Sequence, residues 1–179
     1  WTATLTSGDI IGFSDGTGDL IAQTLTNNIN IFGSVTYTII PSTLECTGTD
    51  TSYIVTVKPM PYLTNETKDT AICNNQSPLI NLESDVAGTE FTWTATGSSG
   101  SVSGFSDQTI PTTLLDQILV NSGFDIESVT YTITPSANGC DGPDSVITVT
   151  VYPTPDLTNP PTQSQCNNQN TNISLTSNV

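Results

Sequence analysis

The chain contains no histidine and no arginine, and its only lysines are Lys58 and Lys68; seventeen acidic residues oppose them, giving a formal net charge of −15 over 179 residues. With almost no cationic groups there is nothing to neutralise a phosphate backbone and release its counterions, which excludes nucleic acid as a partner. An anionic membrane surface is disfavoured for the same reason, and no run approaches the ~20 apolar residues that a membrane-spanning helix needs, so no membrane insertion is expected. Serine chemistry of the triad type lacks its histidine base. The four cysteines show no Cys-x-x-Cys spacing and have no histidine to join them in a zinc site. A nucleophilic thiol would have no adjacent base. The acidity reads as solubility and mutual repulsion between neighbouring copies. The chain opens on Trp1 rather than Met, without a leader segment, and is expected to be a piece of a longer protein.

The hydrophobic fraction is 35%, below the roughly 45–50% of ordinary globular chains. The remainder is mostly Thr, Ser, Asn and Gly. Yet the apolar residues are β-branched and aromatic and fall in short alternating runs, which is a strand composition rather than a disordered one.

Self-similarity organises everything else. Trp1-Thr2-Ala3-Thr4 recurs as Trp93-Thr94-Ala95-Thr96, and Gly12-Phe13-Ser14-Asp15 as Gly104-Phe105-Ser106-Asp107. Val35-Thr36-Tyr37-Thr38-Ile39 recurs as Val129-Thr130-Tyr131-Thr132-Ile133, and Pro41, Cys46 and Gly48 as Pro135, Cys140 and Gly142. Val55-Thr56-Val57 with Pro59 recurs as Val149-Thr150-Val151 with Pro153, Leu63-Thr64-Asn65 as Leu157-Thr158-Asn159, and Cys73-Asn74-Asn75-Gln76 as Cys166-Asn167-Asn168-Gln169. The period is about 93 residues, and Val179 corresponds to Val86, just short of the position that would start another copy.

Pro59-Met60-Pro61 and Pro153-Thr154-Pro155 each follow an alternating Val-Thr-Val run. Proline cannot donate to a sheet and stiffens a connection, so module boundaries are placed there. Residues 60–153 then form one complete module, residues 1–59 a partial module lacking its first strands, and residues 154–179 the first strands of the next. Within the complete module, Ile80-Asn81-Leu82 begins the first strand. Phe91, Trp93 and Ala95 alternate inward, as do Val129, Tyr131 and Ile133, and then Ile147, Val149 and Val151. Leu114–Leu119 and its counterpart Leu20–Leu25 fit either a strand or one helical turn. The fold class expected is all-β: tandem immunoglobulin-like, seven-stranded sandwich modules in an extended rod, with Trp93 in the core.

Cysteines at two per period, without metal or catalytic partners, point to disulfides and an oxidising compartment. Two pairings use them. In the favoured one Cys73 joins Cys140 within a module, on the expectation that the N-terminus and the last hairpin share one end of the sandwich, and Cys46 and Cys166 lack partners. In the other, Cys46–Cys73 and Cys140–Cys166 staple successive modules.

The Trp-Thr-Ala-Thr, Gly-Phe-Ser-Asp, Val-Thr-Tyr-Thr-Ile-x-Pro and Val-Thr-Val-x-Pro-x-Pro blocks together resemble the PKD-like repeats of giant Bacteroidota surface adhesins, nearest to the SprB type of gliding motility. That resemblance, which covers essentially the whole chain, implies a long filament exported by type IX secretion and carried over the cell surface by the gliding machinery. It implies an extracellular, cell-surface location and no catalytic residues. On this reading the modules are spacers whose partners are neighbouring modules. The alternative is a polysaccharide-binding module of a secreted protein, for which Tyr62, Tyr152, Phe32 and Phe124 are the aromatics not assigned inward.

Other chemistry is sparse. Paired-carboxylate hydrolysis would have to draw on Asp15, Asp107 and Glu90, chosen by residue type alone. Asp15 and Asp19 flank a Gly-rich loop with calcium-ligand character, but the second repeat loses both the second acid and the glycines; no cofactor other than calcium is a candidate. Asp69-Thr70-Ala71 and Asp144-Ser145-Val146 match a short O-glycosylation pattern, with Thr70 and Ser145 as acceptors.

Overall fold

The computed structural model describes residues 1–66 and 68–179. The described chain is built of strands and turns without a helix. In chain order the strands are β1 (Thr2–Ser7), β2 (Ile10–Ile11), β3 (Thr26–Asn27), β4 (Gly33–Ile39), β5 (Thr51–Val57), β6 (Asp69–Cys73), β7 (Ile80–Asn81), β8 (Glu90–Gly97), β9 (Val102–Ser103), β10 (Gln108–Thr112), β11 (Leu114–Leu115), β12 (Val120–Asn121), β13 (Glu127–Ala137), β14 (Cys140–Asp141) and β15 (Ser145–Tyr152).

The second repeat is an immunoglobulin-like sandwich. One layer is a sheet in the order β10-β8-β13-β15-β6, with β14 folded back on β13 as a hairpin. The other layer is not a continuous sheet but short ladders, β7 with β11 and β9 with β12, joined by a bridge between Gln76 and Leu119. Leu114–Leu119 is thus extended rather than helical. The alternation in the sequence is realised as burial: Val129, Tyr131, Ile133, Ile147, Val149 and Val151 are fully enclosed, and Leu115 and Leu119 are equally enclosed. Trp93 is buried and stands edge-on to Tyr131, with ring centroids 6.3 Å apart and planes at 86°, a favoured aromatic geometry.

The first strand of this module differs from expectation. It is β6, ahead of Ile80, and it runs parallel to β15, from Thr148 opposite Asp69 to Tyr152 opposite Cys73. A parallel partner extends the sheet beyond the hairpin of β13 and β15, so β15 has a neighbour on both sides.

The first repeat carries a smaller version, a sheet ordered β1-β4-β5 with a β2–β3 ladder. Ile10, Val35 and Tyr37 form its buried centre, with Trp1, Phe13, Ile21, Leu25, Val55 and Val57 packed around it but only partly covered.

By internal contact density the chain divides into two compact units. One contains Trp1–Thr64, Glu83–Phe91 and Thr134–Asp144; the other contains Asn65–Leu82, Thr92–Ile133 and Ser145–Val179. Within the first unit the proline connection is packed. Pro59 and Pro61 are fully buried. The Lys58 ammonium donates to the Asn138 carbonyl at 2.6 Å, and Gly142 lies so close to Pro61 that a Cβ there would collide with the Pro61 carbonyl oxygen.

Candidate functional site

The recurring blocks converge on one polar arrangement, built twice. In the second repeat the Trp93 indole donates to the Ser106 carbonyl at 3.2 Å. The Gln117 amide clamps the same serine: Nε2 donates to its carbonyl at 2.9 Å and to its hydroxyl at 3.1 Å, while the Ser106 amide donates to Oε1 at 3.1 Å. The Tyr131 hydroxyl donates to that Oε1 at 3.1 Å, and the Asp107 carboxylate accepts the Ala95 amide at 2.8 Å. In the first repeat Trp1, Ser14, Gln23, Tyr37, Asp15 and Ala3 make the same bonds, at 2.7–3.3 Å.

The Gly-Phe-Ser-Asp block now has a physical role. Gly12 and Gly104 sit at φ of 94° and 88°, and a Cβ on Gly104 would strike the Ile118 carbonyl oxygen. The glycine turns the chain, and the serine and aspartate that follow are held by glutamine and by the strand amide. A second device also recurs. The Asn121 side chain donates to the Asp125 and Val151 carbonyls at 2.8 and 3.0 Å and accepts the Gly123 amide. Asn27 does the same for Ile31, Val57 and Ile29. Neither the glutamines nor the asparagines stood out in the sequence. Their signal was there: Gln23-x-Leu-x-Asn27 recurs as Gln117-x-Leu-x-Asn121, hidden in the stretch whose backbone was ambiguous.

These arrangements satisfy their polar groups internally. Burial pushes the Tyr131 phenol well above its ordinary value, which removes it as a proton donor near neutrality. The Ser98 hydroxyl, followed by that of Ser99, holds the Glu127 carboxyl below its ordinary value; both donate to it.

The other sequence candidates are dispersed. Among the described residues no group of three or more His, Cys, Asp or Glu side chains is arranged to hold a metal ion. Asp15 is engaged by the Ala3 amide, and Asp19 is exposed in the loop beyond it. Thr70 and Ser145 are partly buried on β6 and β15. Phe32, Phe124, Tyr62 and Tyr152 are all exposed, as expected, at 46–64%. Phe124 and Tyr152 line a groove of about 600 Å³ together with Pro153 and Pro155.

All four cysteines are free thiols in the structure. Cys140 lies in the β13–β14 hairpin, which precedes Ser145 at the start of β15, whereas Cys73 pairs with Tyr152 at its finish. Cys73 closes strand β6 rather than preceding the first strand.

No curated protein matches the chain. A family model described as PKD-like domain matches residues 1–61 and 70–155. PKD-like domains are a non-catalytic, immunoglobulin-like type of module, typical of extracellular proteins and structural or adhesive in character. With matches across most of both repeats, and with the same scaffold of Trp, Ser, Gln and Tyr built in each, the chain belongs to the PKD-like domain family.

Proposed function

We propose that the chain is a repeat segment of a giant filamentous cell-surface adhesin of the SprB type, acting in gliding motility and attachment, in which these modules are structural spacers. The observation that carries the reading is the packed connection. Pro59 and Pro61 are buried, and Lys58, one of only two cations, is spent on a hairpin carbonyl. A linker held in this way transmits load rather than swivelling. Near-absence of Lys and Arg also leaves few bonds open to trypsin-like proteases outside the cell. The test is fluorescence microscopy of living source cells with an antibody raised against the chain. Labelling at the outer surface, in foci that travel as cells glide, is expected; labelling only after permeabilisation overturns the proposal.

A second reading, a polysaccharide-binding module, is favoured by one observation, the exposed Phe124 and Tyr152 on a proline-walled groove. A glycan array separates the two. Spacers give no signal above background, whereas binding that disappears in Phe124→Ala and Tyr152→Ala would establish the second.

A further inference from the structure

The connection between the repeats brings an amine onto an Asn-Gly turn. Ala137 and Cys140 pair across the hairpin of β13 and β14, and the two residues between them, Asn138 and Gly139, have φ of 55° and 76°. Both are left-handed, the backbone that a two-residue hairpin turn demands and that Asn-Gly supplies with least strain. Both residues are exposed. The Asn138 carboxamide takes part in no hydrogen bond among the described residues. Lys58 reaches over this turn. Its Nζ is 2.6 Å from the Asn138 main-chain carbonyl oxygen and 3.8 Å from the point where a Cβ on Gly139 would lie.

The amine is held in that place. Lys58 and the hairpin belong to the same compact unit. Pro59, next to Lys58, is fully buried, and the foot of the hairpin is fixed where Gly142 lies against Pro61. Lysine and Asn-Gly occur together only here. At the equivalent hairpin positions the first repeat has Leu44 and Glu45, and at the position equivalent to Lys58 the second repeat has Tyr152. The pair therefore belongs to this connection and is no general property of the repeat.

We propose that Lys58 and Asn138 are the site of a self-made covalent crosslink, an amide formed through a succinimide at Asn138-Gly139. The Gly139 amide nitrogen, with no side chain beside it to obstruct attack, bonds to the Asn138 Cγ. It gives up its proton to solvent, and the carboxamide nitrogen leaves as ammonia. The imide ring keeps the former main-chain carbonyl of residue 138 beside Nζ. The neutral Lys58 amine attacks that carbonyl carbon, and the bond from it to the Gly139 nitrogen breaks. The proton that Nζ releases passes to the Gly139 nitrogen. The chain then runs through Cγ, and the former main-chain carbonyl is amide-bonded to Lys58. The balance is the loss of one ammonia; nothing is oxidised or reduced. An amine already held against the carbonyl competes with the water that would otherwise hydrolyse the ring, because its attack costs no further translational freedom. The bond ties the end of β5 to the hairpin of the next repeat, whether the modules act as spacers or bind glycans.

The experiment uses the 1–179 chain, kept folded at mildly alkaline pH, where more of the amine is neutral, and sampled over time by intact mass. A growing fraction is expected to lose the mass of one ammonia. Digestion after acidic residues then finds the peptide containing Lys58 joined to the peptide containing residue 138. In an equal mixture of ¹⁵N-labelled and unlabelled chain, each joined pair carries a single isotope. Lys58→Arg keeps a cation at the turn but removes the attacking amine, so residue 138 hydrolyses to aspartate and isoaspartate and no joined peptide forms. Asn138→Ser also gives no joined peptide, and wild-type chain unfolded in urea gives hydrolysis in its place. A folded wild-type chain whose residue 138 stays unchanged, is only hydrolysed, or keeps the ring beside a free Lys58 overturns the proposal. Joined peptides that persist in Asn138→Ser, or that carry mixed isotopes, overturn it as well.

Discussion

Single residues in this fold do one kind of work, closing polar valences so that a β-rich chain poor in hydrophobic side chains can still form a core. Gln117 is the sharpest case, since one amide serves a serine backbone, a serine hydroxyl and a buried tyrosine. Gln117→Ala leaves Tyr131 and Ser106 unsatisfied and should cost about 1–3 kcal/mol, read as a lower urea midpoint at unchanged slope. Gln23→Ala, in the less covered first repeat, should cost less. The pH response is also a residue-scale matter. Burial raises the folded-state value of Tyr131, so the unfolded chain ionises first. Stability is complete below the ordinary tyrosine value of about 10 and falls above it. Tyr131→Phe should remove that alkaline loss in thermal melts taken across pH 9 to about 11.5. Glu127 has the opposite sign. Its folded value is lowered, so its contribution is present above the ordinary glutamate value of about 4.3 and is lost as pH falls through the folded value. Glu127→Gln should flatten the acid limb of the same profile. At this scale the inward aromatics were legible from alternation, because Trp93 and Tyr131 lie in unbroken period-two runs. The glutamine was not, because its value lies in contacts with residues eleven and fourteen positions away.

At the scale of elements, strands that alternate strictly were readable and strands that do not were missed. Val129–Ile133 and Ile147–Val151 announce themselves. Asp69-Thr70-Ala71-Ile72-Cys73 offers one sizeable aliphatic side chain and a half-buried pattern, so nothing local marks it as a strand. It forms because β15 supplies a full backbone edge. Missing β6 also placed Cys73 ahead of the first strand, when it closes that strand. The connection offers a further check. Gly142→Ala places a methyl group against the Pro61 carbonyl, in backbone that cannot swing aside. A loss of about 1–3 kcal/mol is expected, together with faster proteolysis near Met60; Gly48→Ala, whose nearest neighbour is a proline side chain at 2.9 Å, should be milder.

For the whole molecule, the sequence repeat carried most of the reading. The period, the scarcity of cationic groups, the absence of imidazole, and the module type were all visible without coordinates. The repeat also makes the structure self-controlled, because each strand of the complete sandwich has a counterpart in a less complete setting. The central claim is that a full module needs its parallel first strand, so that β15 and β5, which share the Val-Thr-Val run, differ in stability because one is flanked on both sides and the other on one. Hydrogen–deuterium exchange on the intact chain measures this directly. Amides of Thr148–Val151 should exchange at least about a hundredfold more slowly than those of Ile54–Val57, a gap of roughly 2.7 kcal/mol in opening free energy. Equal protection of the two strands would contradict the account.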